Sequence, residues 1–363
     1  MKRLVIFLAA AAMLSVVLTS CGNGGRTLGS ATGSIYECLV VMPDRPMPAM
    51  ADPWQEDNGS AYAENITSTF KLVRAAMEAP VPNMPQVESC FQLSLIAPAA
   101  FDDFLKPSRN ILIIDIDDTK YTQVKCKVST DVWSTPQAVY RIQAPNDTAF
   151  INWWLTSATS VRKWFIDQEM LRQAGFYRRQ PNQQAIDRLR GKHGYGLAIP
   201  EEYTFVEDTV LGNDIRVFLC CNDKGPMRRY LTLYSYPYTS ARQFEADSLM
   251  AMRDSVIGQV ITGQTAGSYV GTEYKIEPPI VAPLTGIYPT DGGFYGMEVR
   301  GLWKLYKGEA MGGPYVSHSR LDQVNARVVT VESMIFAPGQ KKRNALRQAE
   351  SILYTLQMPN ELK

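Results

Sequence analysis

Histidine is scarce. The 363-residue chain has two, His193 and His318, and neither sits in H-E-x-x-H or another spacing that gathers metal ligands. There is no G-x-S-x-G nucleophile elbow, no phosphate-binding loop of the G-x-x-x-x-G-K-[ST] type and no G-x-G-x-x-G fingerprint. C-x-x-C is also missing, which argues against a thiol oxidoreductase and a zinc ribbon. Net charge is nearly nil, with 37 basic side chains against 36 acidic ones, so the concentrated positive field that duplex binding needs is lacking. After the first twenty residues no apolar run is long enough to span a bilayer. A content of 45% hydrophobic and 20% charged residues excludes a disordered chain and a coiled coil. The expectation is a folded protein with no cofactor, no metal, no nucleic-acid partner and no complete catalytic constellation, and therefore not an enzyme.

What is present begins at the amino terminus. Lys2 and Arg3 precede an apolar run from Leu4 to Leu18. As a helix that run spans roughly 22 Å, short of the ~30 Å hydrocarbon core, so it fits a signal segment better than a stable span. Leu18-Thr19-Ser20-Cys21 then matches the bacterial lipobox, which makes Cys21 the expected lipidation site. Two or three acyl chains at ~0.8 kcal/mol per buried CH₂ exceed the marginal hold of a single myristoyl group and form a durable anchor. Gly22 to Ser34 reads as a flexible leash, and it lacks the acidic cluster that resembles a surface-export signal, which favours the periplasmic side. The expected division is a signal peptide at 1–20, a tether at 21–34, an amino-terminal half at 35–185 and a carboxy-terminal half at 186–363. Cys38, Cys90, Cys126, Cys220 and Cys221 remain, an odd number, so at least one stays unpaired within the chain. Several lie in apolar strand-like runs and read as buried, inert thiols, with their disulfide status open.

Along the chain an apolar, β-rich run repeatedly ends at proline with helix-like sequence after it, as at Leu39–Pro43, Leu93–Pro98, Tyr140–Pro145, Leu233–Pro237 and Met334–Pro338. The irregular spacing excludes a solenoid and is compatible with a degenerate duplication of one unit. Helices are predicted over Tyr62–Met77, Asp147–Gln173, Ser240–Val260 and Gln340–Leu356 from their apolar periodicity. Met297, Val299, Trp303 and Leu305 alternate with polar neighbours, Met311-Gly312-Gly313-Pro314 reads as a hairpin connection, and Ala326–Phe336 reads as a further strand. Gly194 and Gly196 read as a turn entering a strand at Leu197–Ile199. The fold class that follows is α+β, with antiparallel sheets, helices packed on one face and two related halves. Arg178–Gln183 is the predicted boundary between them.

The sharpest motif is Ile111–Thr119, where an apolar strand delivers Asp115-Ile116-Asp117-Asp118-Thr119. It resembles the first motif of haloacid-dehalogenase-type phosphatases, which implies Asp115 as nucleophile, Asp117 as general acid and base, and Mg²⁺ at the phosphate. Against it, Lys120 follows where that family prefers an aliphatic residue, and no later strand ends in the acidic pair that holds magnesium. Lys341-Lys342-Arg343 opens a predicted helix, against the macrodipole, and reads as a solvated cluster or as an anion site for head groups or a glycan carboxylate. Residues 261–319 interleave glycines and prolines with tyrosines, Phe294 and Trp303, which suggests either a ligand platform or hairpin packing.

Glu298-Val299-Arg300-Gly301-Leu302-Trp303, Met311–Ser317, Ala337-Pro338 and Arg347-Gln348-Ala349-Glu350 together resemble an uncharacterised group of Bacteroidota lipoproteins, domain of unknown function 4837. Asp131-Val132-Trp133 and Lys192-His193-Gly194 are similar to its amino-terminal half. The resemblance implies an exported, lipid-anchored protein and supplies no activity. The expectation is a protein tethered to a membrane through Cys21, facing the periplasm, that binds or organises an envelope protein or glycan. Glu298, Arg300 and Trp303 are its candidate binding surface. The alternative is a lipid-anchored phosphatase using Asp115 and Asp117.

Overall fold

The computed structural model describes residues 28–47, 66–284 and 295–362. The signal segment, Cys21, the first part of the tether, Tyr288 and Phe294 lie outside the described residues.

The amino-terminal half contains β1 (Gly29–Ser30), β2 (Glu37–Val41), α1 (Thr69–Met77), β3 (Gln92–Ile96), β4 (Asn110–Ile116), β5 (Lys125–Thr130), β6 (Ser134–Thr135), β7 (Ala138–Ala144) and α2 (Asp147–Arg179). Five of the strands form a sheet of order β3-β2-β4-β7-β5, and β1 pairs separately with β6. The helix α2 starts where the Asn146 side chain accepts the Ala149 N–H, with Asp147 in its first turn and Arg178 and Arg179 in its last, both complementing the helix dipole. Phe150, Trp154, Val161 and Phe165 form its buried stripe, as the periodicity predicts. The helix runs past the expected Gln173 and absorbs Arg178 and Arg179 of the predicted boundary segment, leaving a short link at Gln180-Pro181-Asn182 before α3 (Gln183–His193). Gly194 closes α3 in the left-handed region (φ 78°), so it is a helix cap and not a turn into a strand; Gly196 makes only an isolated bridge to Gln357.

The carboxy-terminal half continues with β8 (Thr204–Leu211), β9 (Ile215–Asn222), β10 (Arg228–Pro237), α4 (Ala246–Val260), β11 (Tyr269–Glu273), β12 (Ile280–Pro283), β13 (Gly296–Tyr306), β14 (Gly312–Asp322), β15 (Arg327–Phe336) and α5 (Arg343–Leu353). Seven strands run β11-β13-β14-β15-β10-β9-β8, with β12 also paired to β13, and every pairing is antiparallel.

The α+β class holds, and the larger sheet is antiparallel as expected. The smaller sheet is not: β2 pairs parallel to β3 and β4, and β4 parallel to β7, with only β5 antiparallel. The burial of its strands suits that direction without dictating it. Ile111–Ile114 is buried on both faces, which is the condition for a parallel sheet and yields a continuous apolar run in place of alternation. Helices also cover both faces of the larger sheet. On one side α5 packs against β14 and β15, and on the other α4 packs against β11. Adjacent residues of β15 divide accordingly, Val328 joining the α4-side core and Val329 the α5-side core. The two sheets differ in strand number, order and direction, so the strand–proline–helix pattern does not mark copies of one unit. The largest core runs from the smaller sheet through α1, α2 and α5 to the larger sheet, joining the halves.

Candidate functional site

On the α5 side of the larger sheet, three sequence-distant polar segments converge. Period-two spacing puts Glu298 and Arg300 on one face of β13, the antiparallel register sets His318 opposite Glu298, and α5 lays Arg347 and Glu350 over them. Arg300 Nε donates to Glu298 Oε1 at 2.7 Å and its Nη2 bonds Glu350 Oε1; Arg347 Nη1 donates to Glu350 Oε2 at 3.1 Å. His318 Nε2 lies 3.3 Å from Glu298 Oε2, with its ring edge-on to Tyr354 at 4.6 Å. Burial alone would push the Glu298 carboxyl up, but the Arg300 charge and the His318 hydrogen bond outweigh it and hold it well below the usual carboxylate range. Glu298, His318 and Glu350 offer ligand atoms within 4.8 Å of one another, the one group of three among the described residues that could hold a metal. Arg300 already stands between the two carboxylates as their cation, so two glutamates are matched by two guanidiniums.

Trp303 does not join this group. Five residues along from Glu298, it faces α4 and donates its indole N–H to the Ile335 carbonyl at 3.2 Å. The proposed surface of Glu298, Arg300 and Trp303 is thus divided between two faces of one strand, and Arg300 and Trp303 are buried. Gly312-Gly313-Pro314 likewise lies inside β14, not in the hairpin connection, which is residues 307–311. Its glycines exist because neighbours come too close. A Cβ on Gly313 would meet the Ile335 carbonyl oxygen at 2.0 Å, and one on Gly301 would meet the Tyr315 ring at 2.6 Å. The register pairs Gly301 with Tyr315 and Gly313 with Trp303, so Gly301 makes room for the Tyr315 ring and Gly313 for the Ile335 carbonyl, with the Trp303 indole nitrogen beside it. Arg253 stacks on the Tyr315 ring, 3.7 Å from its centroid, and forms a buried ion pair with Glu332 at 2.8 Å.

Asp115 lies on β4, with Asp117 just beyond its end, the placement their motif predicts. Asp115 Oδ2 accepts the Tyr121 hydroxyl at 2.7 Å; Asp117 Oδ1 accepts the Thr119 hydroxyl at 2.6 Å and its Oδ2 pairs with Lys120 at 2.6 Å. The Lys120 and Thr119 contacts lower the Asp117 carboxyl to about 2. These bonds close the turn locally, and no histidine or further carboxylate completes a metal-capable group there among the described residues. The histidines do not meet either: His193 pairs with Asp208 at 3.2 Å, away from His318 and Glu298.

Between the halves lies a cleft of about 600 Å³, walled by α1 and residues 87–92 on one side and by β10 and the start of α5 on the other. Its geometry explains the cationic helix start. Glu88, buried, accepts the backbone N–H groups of Lys342 at 2.7 Å and Arg343 at 2.9 Å, so a carboxylate from the other half caps α5. Lys342 is itself buried and donates to the Gln340 carbonyl, and Arg343 donates to the Ser89 carbonyl, so only Lys341 of the three is solvated as expected. The five cysteines are unpaired; Cys38, Cys90 and Cys220 are buried, Cys221 partly so, and Cys126 exposed. Burial pushes the Cys220 thiol up to about 12.

Sequence reasoning missed Glu350, Arg347 and His318 in the charge cluster, although an R-x-x-E pair at helical spacing and an E-x-R pair at strand spacing each carry a same-face signal. Arg229 and Glu88 in the cleft gave no signal, because nothing local links them to α5.

The fold defines an α+β protein of two main sheets whose halves are joined through helices, with a polar cleft at the junction. Residues 182–355 match the family model of domain of unknown function 4837, which bears out the resemblance for that half. Residues 31–178 match a separate family, domain of unknown function 8532, so Asp131-Val132-Trp133 falls in that match, and the first family does not extend over the whole chain. No curated protein matches the chain. Among the described residues no helix is long and apolar enough to cross a membrane.

Proposed function

We propose that this is a ligand-binding protein of the cell envelope, anchored through a lipid on Cys21 and facing the periplasm, whose binding site is the cleft between the halves. The observation that carries the reading is that the cleft draws its walls from both matched segments and holds more cations than carboxylates, with Arg229, Lys341 and Arg343 in no ion pair among the described residues, while the charges of the buried cluster neutralise one another internally. A site built across a junction can couple binding to the relative placement of the halves, and pockets are commonly found at such interfaces. Glu298 and Arg300 act in this reading as the charge network that seats α5, which forms one wall. The lipid on Cys21 supplies location and takes no part in recognition.

Two measurements test it. Labelled fatty acid enters the wild type and is lost in Cys21→Ser; retained label contradicts the anchor. Native mass spectrometry of protein purified from its own membranes shows a bound small molecule on the wild type that is absent from Gln92→Trp, which fills the cleft from an exposed strand position. Identical spectra contradict the binding site.

A further inference from the structure

The cleft's charges are unequal in number and in engagement. Two carboxylates line it, and both are committed: Glu78 pairs with Arg74 at 2.8 Å and accepts the Leu93 N–H at 2.9 Å, while Glu88 caps α5. Arg229, Lys341 and Arg343 also line it and form no ion pair among the described residues. Arg343 spends Nη1 on the Ser89 carbonyl and Nε on Asn344, which fixes the guanidinium plane and leaves Nη2 for a ligand. Arg229 comes from β10, and Lys341 from the segment leading into α5, so the three cations approach from two directions.

We propose that this cleft binds a phosphate-bearing ligand, gripped by Arg229, Lys341 and Arg343. The inference rests on the reading of the cleft as the binding site and names the chemistry it takes. A monocarboxylate offsets one of the three charges. A phosphate monoester carries roughly −1.5 to −2 at pH 7 with three strong acceptor oxygens, and guanidinium forks match that geometry. The same chemistry is met in a soluble phosphate monoester and in phosphatidic acid, a membrane lipid whose head group is itself a phosphate monoester.

Calorimetric titration of the Cys21→Ser protein with glycerol phosphate, and sedimentation with phosphatidylcholine vesicles that do or do not contain phosphatidic acid, separate these sources. Saturable binding of either probe is expected, weakened at least tenfold in Arg229→Ala and several-fold in Lys341→Ala, whose exposed side chain leaves the fold intact by circular dichroism. Binding to the phosphatidic acid vesicles alone assigns a head group; binding of glycerol phosphate assigns a soluble ester. Failure of both probes, or binding that neither substitution weakens, overturns the phosphate inference. The cleft reading is tested apart from it: a neutral oligosaccharide that binds the wild type and not Gln92→Trp leaves the cleft standing while the phosphate inference falls.

Discussion

Replacing Arg300 by Met removes the cation that separates Glu298 from Glu350. The substitution keeps most of the side-chain volume and deletes bonds to both carboxylates, including the 2.7 Å bond to Glu298. The buried Glu350 and the half-buried Glu298, with oxygens inside 4.8 Å of one another, then face each other, with only Arg347 left beside Glu350. Breaking a buried pair by removing one partner costs about 3–5 kcal/mol, because the remaining charge is stranded. At ~2–4 °C per kcal/mol for domains of this size, the melting temperature falls by roughly 6–20 °C. The geometry adds a sharper consequence: with Arg300 gone, Glu298, His318 and Glu350 become a carboxylate–imidazole set suited to zinc. Zinc at a hundred times its dissociation constant then restores about 2.7 kcal/mol in Arg300→Met, whereas the wild type, whose Arg300 fills the position, gains nothing. Thermal melts of both proteins with and without zinc read this directly. An undiminished melting temperature in the variant, or equal zinc stabilisation of both proteins, refutes the assignment of Arg300 as the resident cation.

Other outcomes follow from the same structure. Gly301→Ala drives a methyl into the Tyr315 ring and unsettles the Arg253 stack, and urea melts should show a loss of about 1–3 kcal/mol. Stability should depend on acid through Glu298: its folded-state carboxyl is depressed, so its contribution is complete above the ordinary glutamate range and is lost as pH falls below it. Urea midpoints from pH 7 down to pH 3 test this, and Glu298→Gln should flatten the dependence. Maleimide should label Cys126 in the native protein, while Cys38, Cys90 and Cys220 react only after unfolding; slow labelling of all five alike would contradict the packing.

Where local periodicity decides structure, the sequence is readable. The stripe Phe150–Trp154–Val161–Phe165 predicts α2, and the alternation from Met297 to Leu305 predicts β13, because one face of each element is buried. The parallel sheet is visible as strand–proline–helix segments, yet a both-faces-buried strand such as Ile111–Ile114 does not announce its neighbours' direction. Gly312-Gly313 misleads for a related reason: glycine marks a turn or a close approach equally well, and only the position of the Ile335 carbonyl decides between them. Of the candidate surface, Glu298 and Arg300 stand together as their spacing dictates, while the odd offset from Glu298 to Trp303 sends the indole through the sheet, as the alternation of a strand requires. The cleft is illegible in the sequence, since Glu88 and Arg343 are 255 positions apart and only the tertiary fold brings them together.

Hydrogen exchange at backbone amides, followed as glycerol phosphate is added, tests the junction cleft most directly. Slowed exchange on both walls at once, at residues 86–92 and 341–348, is the predicted result. Protection confined to one wall, or centred on the β4 end near Asp115, would contradict a ligand held between the halves.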